Sequence, residues 1–343
     1  MNSTNTMKET HDRARERLKD ICRVCPVCNG RSCVSGVPGM GGKGRRTGFK
    51  RNIEAFEQIL LNLRTIHNAC NIDTMYDLFG TTLAMPVLGA PMCETNYNFL
   101  GRVDDFQFIS DQVKGASAAS SLAFTGDSPE PPLYEMGLKA MKESSGKVIP
   151  IIKPREPDKI IERIRIAEGY EVPAVGIDID AAGFEKLTKA GQPVGPLSVS
   201  KLQYIIQSTS LPVILKGIMT TDEALKAVDC GAAGLIVSNH GGRALDSTPG
   251  TIEVLPEVAV AVKGSIKIFI DSGIRSGENV LKALALGAEA VLVGRPVAIA
   301  AIGGGTEGVR MLYEQLQSEL RNAMLLTGCE NLKAIGPRVI RSP

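Results

Sequence analysis

The stretches DEALKAVDCGAAGLIVS (222–238) and ENVLKALALGAEAVLVG (278–294) align with each other without gaps. Each starts as an amphipathic helix, breaks at a glycine and continues as a short apolar run of the kind that forms a buried strand. Thr220 and Glu223 predict a capping box at the start of the first helix. Because parallel strands need a crossover helix between them, these helix–strand units predict an α/β protein with a parallel sheet.

Six more apolar runs continue this pattern along the chain. The eight predicted strands are 85–90, 115–122, 147–152, 174–179, 211–216, 234–238, 266–271 and 290–294. Eight strands that alternate with helices predict a (β/α)8 TIM barrel, which we assign to residues 51–343 and which starts with a helix at 51–64. Residues 1–50, with a helix at 8–20 and a glycine-rich stretch at 36–48, are assigned to a loop-rich N-terminal extension.

Composition excludes several classes of function. The 343 residues carry a formal net charge of +2 and show no basic stripe, so we expect no binding to nucleic acid. No apolar run reaches membrane-spanning length, and the stretch 1–20 lacks the apolar core of a secretion signal. We therefore expect a cytoplasmic protein without a membrane span.

Charged residues follow the predicted strands, where the loops of such a barrel converge on one face and form the active site. These residues are Lys153, Asp178, Asp180, Lys216, His240, Arg243, Asp271, Arg275 and Arg295. Asp178 and Asp180 are two apart in a predicted strand and should share the interior face, where a cation or a cofactor must lie nearby. The alternative is an ion network in the core that includes Lys216.

Two loops and one phrase carry the most specific signals. DSGIRSG (271–277) and VGRP (293–296) combine glycines with arginines and predict a phosphate site. The alternative is that the glycines form turns and the arginines lie on the surface. In SNHGGRALD (238–246), His240 is a candidate general base, and Arg243 is a candidate clamp for a carboxylate. A structural histidine is the alternative.

These segments, together with LPVILKGIMT (211–220) and ALALGAEAVLVGRP (283–296), resemble the FMN-dependent 2-hydroxy acid oxidases and dehydrogenases, such as glycolate oxidase and lactate oxidase. Ala244 stands where that family has glutamine. The resemblance implies that FMN is the cofactor and that a small (S)-2-hydroxy acid, lactate- or glycolate-like, is oxidised to the 2-oxo acid. It also implies a homo-oligomer such as a tetramer, and it leaves oxygen or a redox protein open as electron acceptor.

The resemblance also assigns roles to residues. His240 would take the hydroxyl proton, Asp180 would stabilise the imidazolium, and Lys216 would stabilise the reduced flavin. Arg243 would hold the substrate carboxylate. The residues implied to bind the cofactor are Ala90, Pro91, Met92, Asp178, Lys216, Ser238, Asp271, Gly273, Arg275, Gly294 and Arg295.

The sequence departs from the family in its substrate pocket. Ser32 or Cys33 stands where a tyrosine is expected, and Pro150 and Ile152 replace a glutamine and a tyrosine. A second carboxylate-binding arginine is missing from the stretch AAGFEKL (181–187). Lys153, or Arg155, is the candidate for a replacement cation that binds the substrate.

Eight cysteines fall into two groups. Cys22, Cys25, Cys28 and Cys33 are packed into twelve residues and are candidate ligands for zinc or an iron–sulfur cluster, with reactive or packed thiols as the alternative. The scattered cysteines are expected to be small core residues. They are Cys70, Cys93, Cys230 and Cys329.

Two other functions compete with hydroxy acid oxidation. One is a non-redox flavin isomerase that resembles the type 2 isopentenyl diphosphate isomerases, which share the barrel and the phosphate site. The other is a flavin and metal redox module without a hydroxy acid substrate. The phrase SNHGGR (238–243) favours oxidation over isomerisation.

Overall fold

The computed structural model describes residues 6–33, 40–129, 131–144 and 146–341. Part of the predicted glycine-rich stretch, at 36–39, lies outside these residues. Among the described residues, no helix combines the length and the apolar character needed to cross a membrane.

Eight parallel strands close into a barrel in the order β10-β3-β4-β5-β6-β7-β8-β9, and β1 and β2 form a separate antiparallel hairpin. The strands are β1 Tyr76–Leu78, β2 Thr81–Leu83, β3 Val87–Met92, β4 Ala123–Thr125, β5 Val148–Ile152, β6 Val175–Asp178, β7 Val213–Ile218, β8 Gly234–Val237, β9 Lys267–Ile270 and β10 Ala290–Val293. The predicted (β/α)8 barrel is therefore confirmed.

Helices connect the strands and form the outer layer. They are α1 Met7–Arg17, α2 Thr47–Gln58, α3 Thr95–Phe99, α4 Asp105–Ala118, α5 Pro131–Ser144, α6 Pro157–Glu168, α7 Glu185–Lys189, α8 Val199–Gln207, α9 Thr221–Asp229, α10 Thr251–Ala261, α11 Gly277–Ala285 and α12 Arg295–Leu326. Helix α12 bends at Gly305, whose backbone leaves the helical region. The described residues also form 3-10 turns at Ile179–Gly183, Leu332–Ala334 and Pro337–Val339.

Seven of the eight predicted strands overlap an observed barrel strand, and the predicted strand at 115–122 is wrong. Residues up to Ala118 are helical, and the strand begins at Ala123. The small residues in this run serve helix packing, because a Cβ at Gly115 would lie 2.4 Å from Val309 Cβ on α12. The run consists of Gly, Ala and Ser up to its last residue, Leu122, and close contact between helices explains such small residues better than a strand does.

Two smaller predictions also need correction. The Thr220 hydroxyl bonds to Asp222 Oδ1 at 2.6 Å, and no side-chain cap is formed at the start of α9, so the predicted capping box is absent there. Cys70 is exposed, whereas Cys93, Cys230 and Cys329 are buried as predicted.

The hairpin of β1 and β2 closes the end of the barrel where the strands begin. Leu78 and Leu83 are buried in one apolar cluster with Leu88, Phe124 and Phe269 of the barrel strands. Because this end is filled with apolar side chains, a cavity large enough for a ligand has to form at the opposite end, where the strands finish.

Helix α1 packs against α12 at a glycine-rich contact. Ala14 and Leu18 are fully buried and belong to the same apolar cluster as the outer barrel layer. A Cβ at Gly303 would lie 2.0 Å from the Thr10 carbonyl oxygen, so only glycine permits the observed distance between the two helices.

Gly303→Ala should therefore destabilise the protein by about 1–3 kcal/mol, because the added methyl group forces α1 away from α12. Denaturant unfolding would measure the loss. Gly195→Ala is the matched control, since a Cβ there would meet nothing within 4 Å. If the two variants were equally stable, the close contact of α1 with α12 at Gly303 would be contradicted.

Candidate active site

A cavity of about 670 Å³ opens where the barrel strands end, and its wall contains nearly all the predicted site residues. The predicted residues that line it are Ala90, Pro91, Met92, Lys153, Asp178, Lys216, His240, Arg243, Asp271, Gly273, Arg275, Gly294 and Arg295. Asp180 and Ser238 do not line it. Ser238 is fully buried beneath the loop, where its Oγ accepts a hydrogen bond from the His240 backbone N–H at 3.1 Å.

Lys216 lies at the bottom of this cavity, in contact with three carboxylates. Its Nζ is 2.9 Å from Asp178 Oδ1, 3.1 Å from Asp180 Oδ2 and 3.9 Å from Asp271 Oδ2. Burial alone would lower the pKa of this ammonium, but the Asp178 and Asp180 carboxylates outweigh burial and raise the pKa above its ordinary value. Lys216 therefore stays positively charged although it is only 3% exposed.

The strand register explains how this contact arises. Lys216 on β7 is the direct partner of Asp178 on β6, so their side chains start from neighbouring positions. The ladder shifts after Lys216, and Gly217 adopts a φ of 118°. A Cβ at Gly217 would lie 2.5 Å from Asp180 Cβ, so glycine lets the second carboxylate approach.

The sequence predicted that Asp178 and Asp180 lie two apart in one strand and share its interior face. They do not share a strand. Strand β6 ends at Asp178, and Asp180 lies in the 3-10 turn Ile179–Gly183. Burial would raise the pKa of both carboxyl groups. The ammonium groups of Lys153 and Lys216 outweigh burial at Asp178 and lower its pKa well below the ordinary value. At Asp180, burial and the Asp178 charge together raise the pKa well above it.

His240 is held through one ring nitrogen. Its Nδ1 lies 2.8 Å from Asp180 Oδ1 and 3.3 Å from Lys216 Nζ, which leaves Nε2, on the other edge of the ring, for a ligand. Phe184 packs edge-on against the ring with centroids 4.9 Å apart. Burial and the Lys216 charge lower the pKa of His240 well below its ordinary value, so the imidazole is neutral and can accept a proton.

The loop that carries His240 has an unusual backbone. His240, Gly241 and Gly242 have φ values of 58°, 66° and 77°, a run of left-handed conformations that a histidine rarely adopts. Asn239 holds the loop, because its Oδ1 accepts the Gly242 N–H at 3.0 Å and its amide exchanges hydrogen bonds with Asn52 on α2. Neither asparagine was predicted from the sequence as a site residue, although Asn239 stands next to His240 in the SNHGGR phrase.

Arg243 reaches the cavity from the same loop and is positioned by a residue that sequence reasoning also missed. Its Nη2 donates to Asn98 Oδ1 at 3.0 Å, and the Asn98 amide in turn donates to the Cys93 carbonyl at 2.6 Å. Asn98 lies on α3, directly after the first barrel strand. In the sequence, the one feature that could have pointed to Asn98 is its position shortly after the first barrel strand.

Lys153 is a further cation in the part of the cavity near His240, in addition to Lys216 and Arg243. It pairs with Asp178, and its Nζ lies 5.3 Å from the centre of the Phe184 ring. Arg155, the other candidate for this role, is 4% exposed, pairs with the buried Asp127 and does not line the cavity. The structure thus brings Lys153, and not Arg155, to the site.

The other end of the cavity suits a phosphate group. Helix α12 begins at Arg295 after Gly294, and the first backbone N–H groups of a helix attract anions. The Arg295 guanidinium stacks on Phe49 at 3.8 Å and donates to the Gly41 and Gly241 carbonyls. Burial lowers the pKa of Arg295 to about 10, so it remains charged near neutral pH.

The residues present therefore fit FMN. One end offers a helix N-terminus and arginines for a phosphate, and the other offers the Lys216 ammonium for the negative charge of a reduced ring. Between them Gly294 lies beside Ala90 and Met92 on the cavity wall, since a Cβ at Gly294 would lie 3.6 Å from Ala90 Cβ and 3.9 Å from Met92 Sδ. Because glycine adds no side chain there, a planar ring could pack against this wall.

The predicted cysteine ligands line a second cavity, of about 540 Å³. Burial raises the pKa of the Cys22 thiol to about 11. A metal site would need three or more His, Cys, Asp or Glu ligand atoms close together. Among the described residues, Asp178, Asp180 and His240 form the group whose ligand atoms lie within 4.8 Å of one another. Lys216 already neutralises that group, so we assign no metal to it.

Comparisons with known proteins agree with this geometry. The model of a family described as FMN-dependent dehydrogenase matches residues 39–186 and 180–342. 2-Hydroxyacid oxidase 1 of Mus musculus is 32% identical over 84% of this chain and 87% of its own length. 4-Hydroxymandelate oxidase of Amycolatopsis orientalis is 33% identical over 86% of this chain and 90% of its own.

A solved structure is similar over almost the whole chain. The crystal structure of mandelate oxidase with 3,3-difluoro-2-hydroxy-3-phenylpropionic acid superposes with a TM-score of 0.79 and 29% identity, and the match covers 98% of each chain. These relatives are oxidases, which favours oxidation over the isomerase alternative. The chain therefore belongs to the FMN-dependent dehydrogenase family and is an oxidoreductase that acts on 2-hydroxy acids with FMN.

Proposed function

We propose that this enzyme oxidises a small (S)-2-hydroxy acid, of lactate or glycolate size, to the 2-oxo acid. The observation that carries the proposal is that His240 and Arg243 come from one loop and both line the cavity, above the buried Lys216. A 2-hydroxy acid carries its hydroxyl and its carboxylate on the same α-carbon. Its oxidation therefore needs a base and a carboxylate-binding group close together, as His240 and Arg243 are on this loop.

His240 supplies the base. The reaction removes two protons and two electrons from the alcohol, and FMN, when bound, would take up the two electrons together with the hydrogen of the α-carbon. The neutral Nε2 accepts the hydroxyl proton, because the lowered pKa of His240 keeps the ring deprotonated before the reaction. Asp180, 2.8 Å from Nδ1, stabilises the imidazolium that forms.

Arg243 and Lys153 bind the acid. The guanidinium of Arg243 offers a planar fork that matches a carboxylate, and Asn98 fixes its orientation. Lys153 takes the place of the family's second arginine, and its pairing with Asp178 leaves it 13% exposed at the cavity wall. A single carboxylate can therefore be held between two cations.

The residues that would hold FMN divide into two sets. Gly273, Arg275, Gly294 and Arg295 surround the phosphate end, and Ala90, Pro91 and Met92 line the wall against which the ring would pack. Lys216 would stabilise the negative charge that the ring gains on reduction, and Asp178 and Asp271 hold its ammonium in place.

Purified protein should release FMN on denaturation, because the cavity ends in a helix N-terminus that suits a terminal phosphate. Chromatography of the released flavin would identify it. Recovery of FAD alone, or of no flavin after reconstitution with FMN, would contradict the assignment.

His240→Gln should keep FMN but slow flavin reduction by substrate roughly 10²–10⁴-fold, since glutamine cannot accept the hydroxyl proton. Anaerobic bleaching of the flavin with a panel of 2-hydroxy acids, including glycolate, lactate and mandelate, measures the rate and tests the size of the substrate. His67→Gln is the matched control, because His67 bonds to the Arg64 carbonyl away from the cavity. An unchanged rate in the His240 variant would refute the proposed mechanism.

Arg243→Lys should raise KM for the acid more than it lowers kcat, because an ammonium cannot reproduce the two-pronged contact with a carboxylate. Steady-state kinetics with the best substrate would separate the two constants. Arg310→Lys, on the exposed face of α12, serves as control. The role of Arg243 would be wrong if KM stayed at the original value.

A further inference from the structure

The second cavity is bordered by all four clustered cysteines. Cys22, Cys25, Cys28 and Cys33 line it together, within an irregular segment that follows α1, and Ile299 of α12 contributes to the wall. Four sulfur atoms on one cavity are not explained by packing, because a thiol that serves only as a small core residue is surrounded by apolar side chains and does not face an open volume.

The spacing of the sulfur atoms excludes a preformed site for a single ion. A tetrahedral zinc ion with Zn–S bonds of about 2.3 Å brings its four sulfur atoms to about 3.8 Å from one another. Among the described residues, no three of these cysteines have sulfur atoms within 4.8 Å of one another. A larger inorganic group, with thiolates at its corners, needs its sulfur ligands further apart than a single ion does, and the cavity of about 540 Å³ has room for such a group.

Hydrogen-bond donors point at two of the sulfur atoms. The Val24 backbone N–H donates to Cys22 Sγ at 3.3 Å, and Arg275 Nη2 donates to Cys28 Sγ at 3.7 Å. Val24 adopts a φ of 45°, which is costly for a β-branched residue. The strained turn directs its N–H group toward the sulfur, and hydrogen bonds of this kind tune the thiolate ligands of iron–sulfur clusters.

The charge around the cavity is positive. Arg15, Lys19 and Arg23 line it, and Asp20 is the one acidic residue on its described wall. Arg15 also ties the cysteine segment to α1 by donating to the Val24 carbonyl at 3.1 Å. A cluster of four irons and four sulfides with four thiolates carries a net charge of about −2, which this set of cations would offset.

We propose that Cys22, Cys25, Cys28 and Cys33 bind a [4Fe–4S] cluster in this cavity. Each thiol loses its proton to solvent as its sulfur coordinates an iron. The site is separate from the substrate pocket, but Arg275 touches both, since its side chain contacts Cys28 and also lines the large cavity. If FMN binds as proposed above, the cluster lies one arginine away from the phosphate end of the flavin.

Anaerobically prepared protein tests the site. It should contain roughly four iron and four acid-labile sulfide ions per chain, and reduction by dithionite should produce a low-temperature electron paramagnetic resonance signal of a reduced cluster. Cys25→Ser should lower the iron and sulfide content severalfold, and the variant with all four cysteines replaced by serine should lose both. Cys70→Ser is the matched control, because Cys70 is an exposed single cysteine outside the cavity.

Flavin content is measured separately on the same samples, so the two proposals can fail independently. Iron and sulfide without flavin would leave the cluster in place and refute FMN binding. Stoichiometric zinc, no metal after reconstitution with iron and sulfide, or iron that persists in the fourfold variant would overturn the cluster. Circular dichroism confirms that each variant is folded, and Cys25→Ser alone decides the matter if the fourfold variant is not.

Discussion

The contact of one buried ammonium with three carboxylates organises the active site. Lys216 could not stay charged at the bottom of a barrel without Asp178, Asp180 and Asp271, and these acids could not be buried without a cation. Because each group needs the others, the ends of β6, β7 and β9 are held at fixed positions. His240 contacts Asp180 and Lys216 of this network through Nδ1, so the charges of the network influence the pKa of its ring.

That electrostatic arrangement sets the chemistry. A histidine beside the two carboxylates of Asp178 and Asp180 would ordinarily be protonated, but burial and the Lys216 charge dominate and lower its pKa. The ring is therefore neutral, and in the proposed mechanism Asp180 stabilises it after it accepts a proton. The ammonium that lowers the pKa of His240 is also the group that we propose to stabilise the negative charge of a reduced flavin.

The part of the chain that precedes the barrel strands contributes to the active site. Asn52 on α2 bonds to Asn239, and the start of α2 packs so closely that a Cβ at Gly242 would lie 2.4 Å from the Phe49 nitrogen. The carbonyls of Met40 and Gly41 accept hydrogen bonds from Arg295, and Cys28 accepts one from Arg275. The conformations of the loop that carries His240 and of the end of the cavity at Arg295 therefore depend on segments far away in sequence.

The sequence by itself determined the barrel and most of the cavity wall. Repeated helix–glycine–strand units specify local structure, and residues after parallel strands must meet at one end, so His240, Lys216 and Arg295 could be placed without coordinates. The tertiary structure decided what depends on contacts between distant segments. Gly115 packs against Val309 in a run that reads as a strand, Asn98 orients Arg243, and Lys153 reaches the cavity while Arg155 is neutralised by Asp127. Such pairings leave no periodic trace in the sequence, because side-chain partners are chosen by proximity in space and not by spacing along the chain.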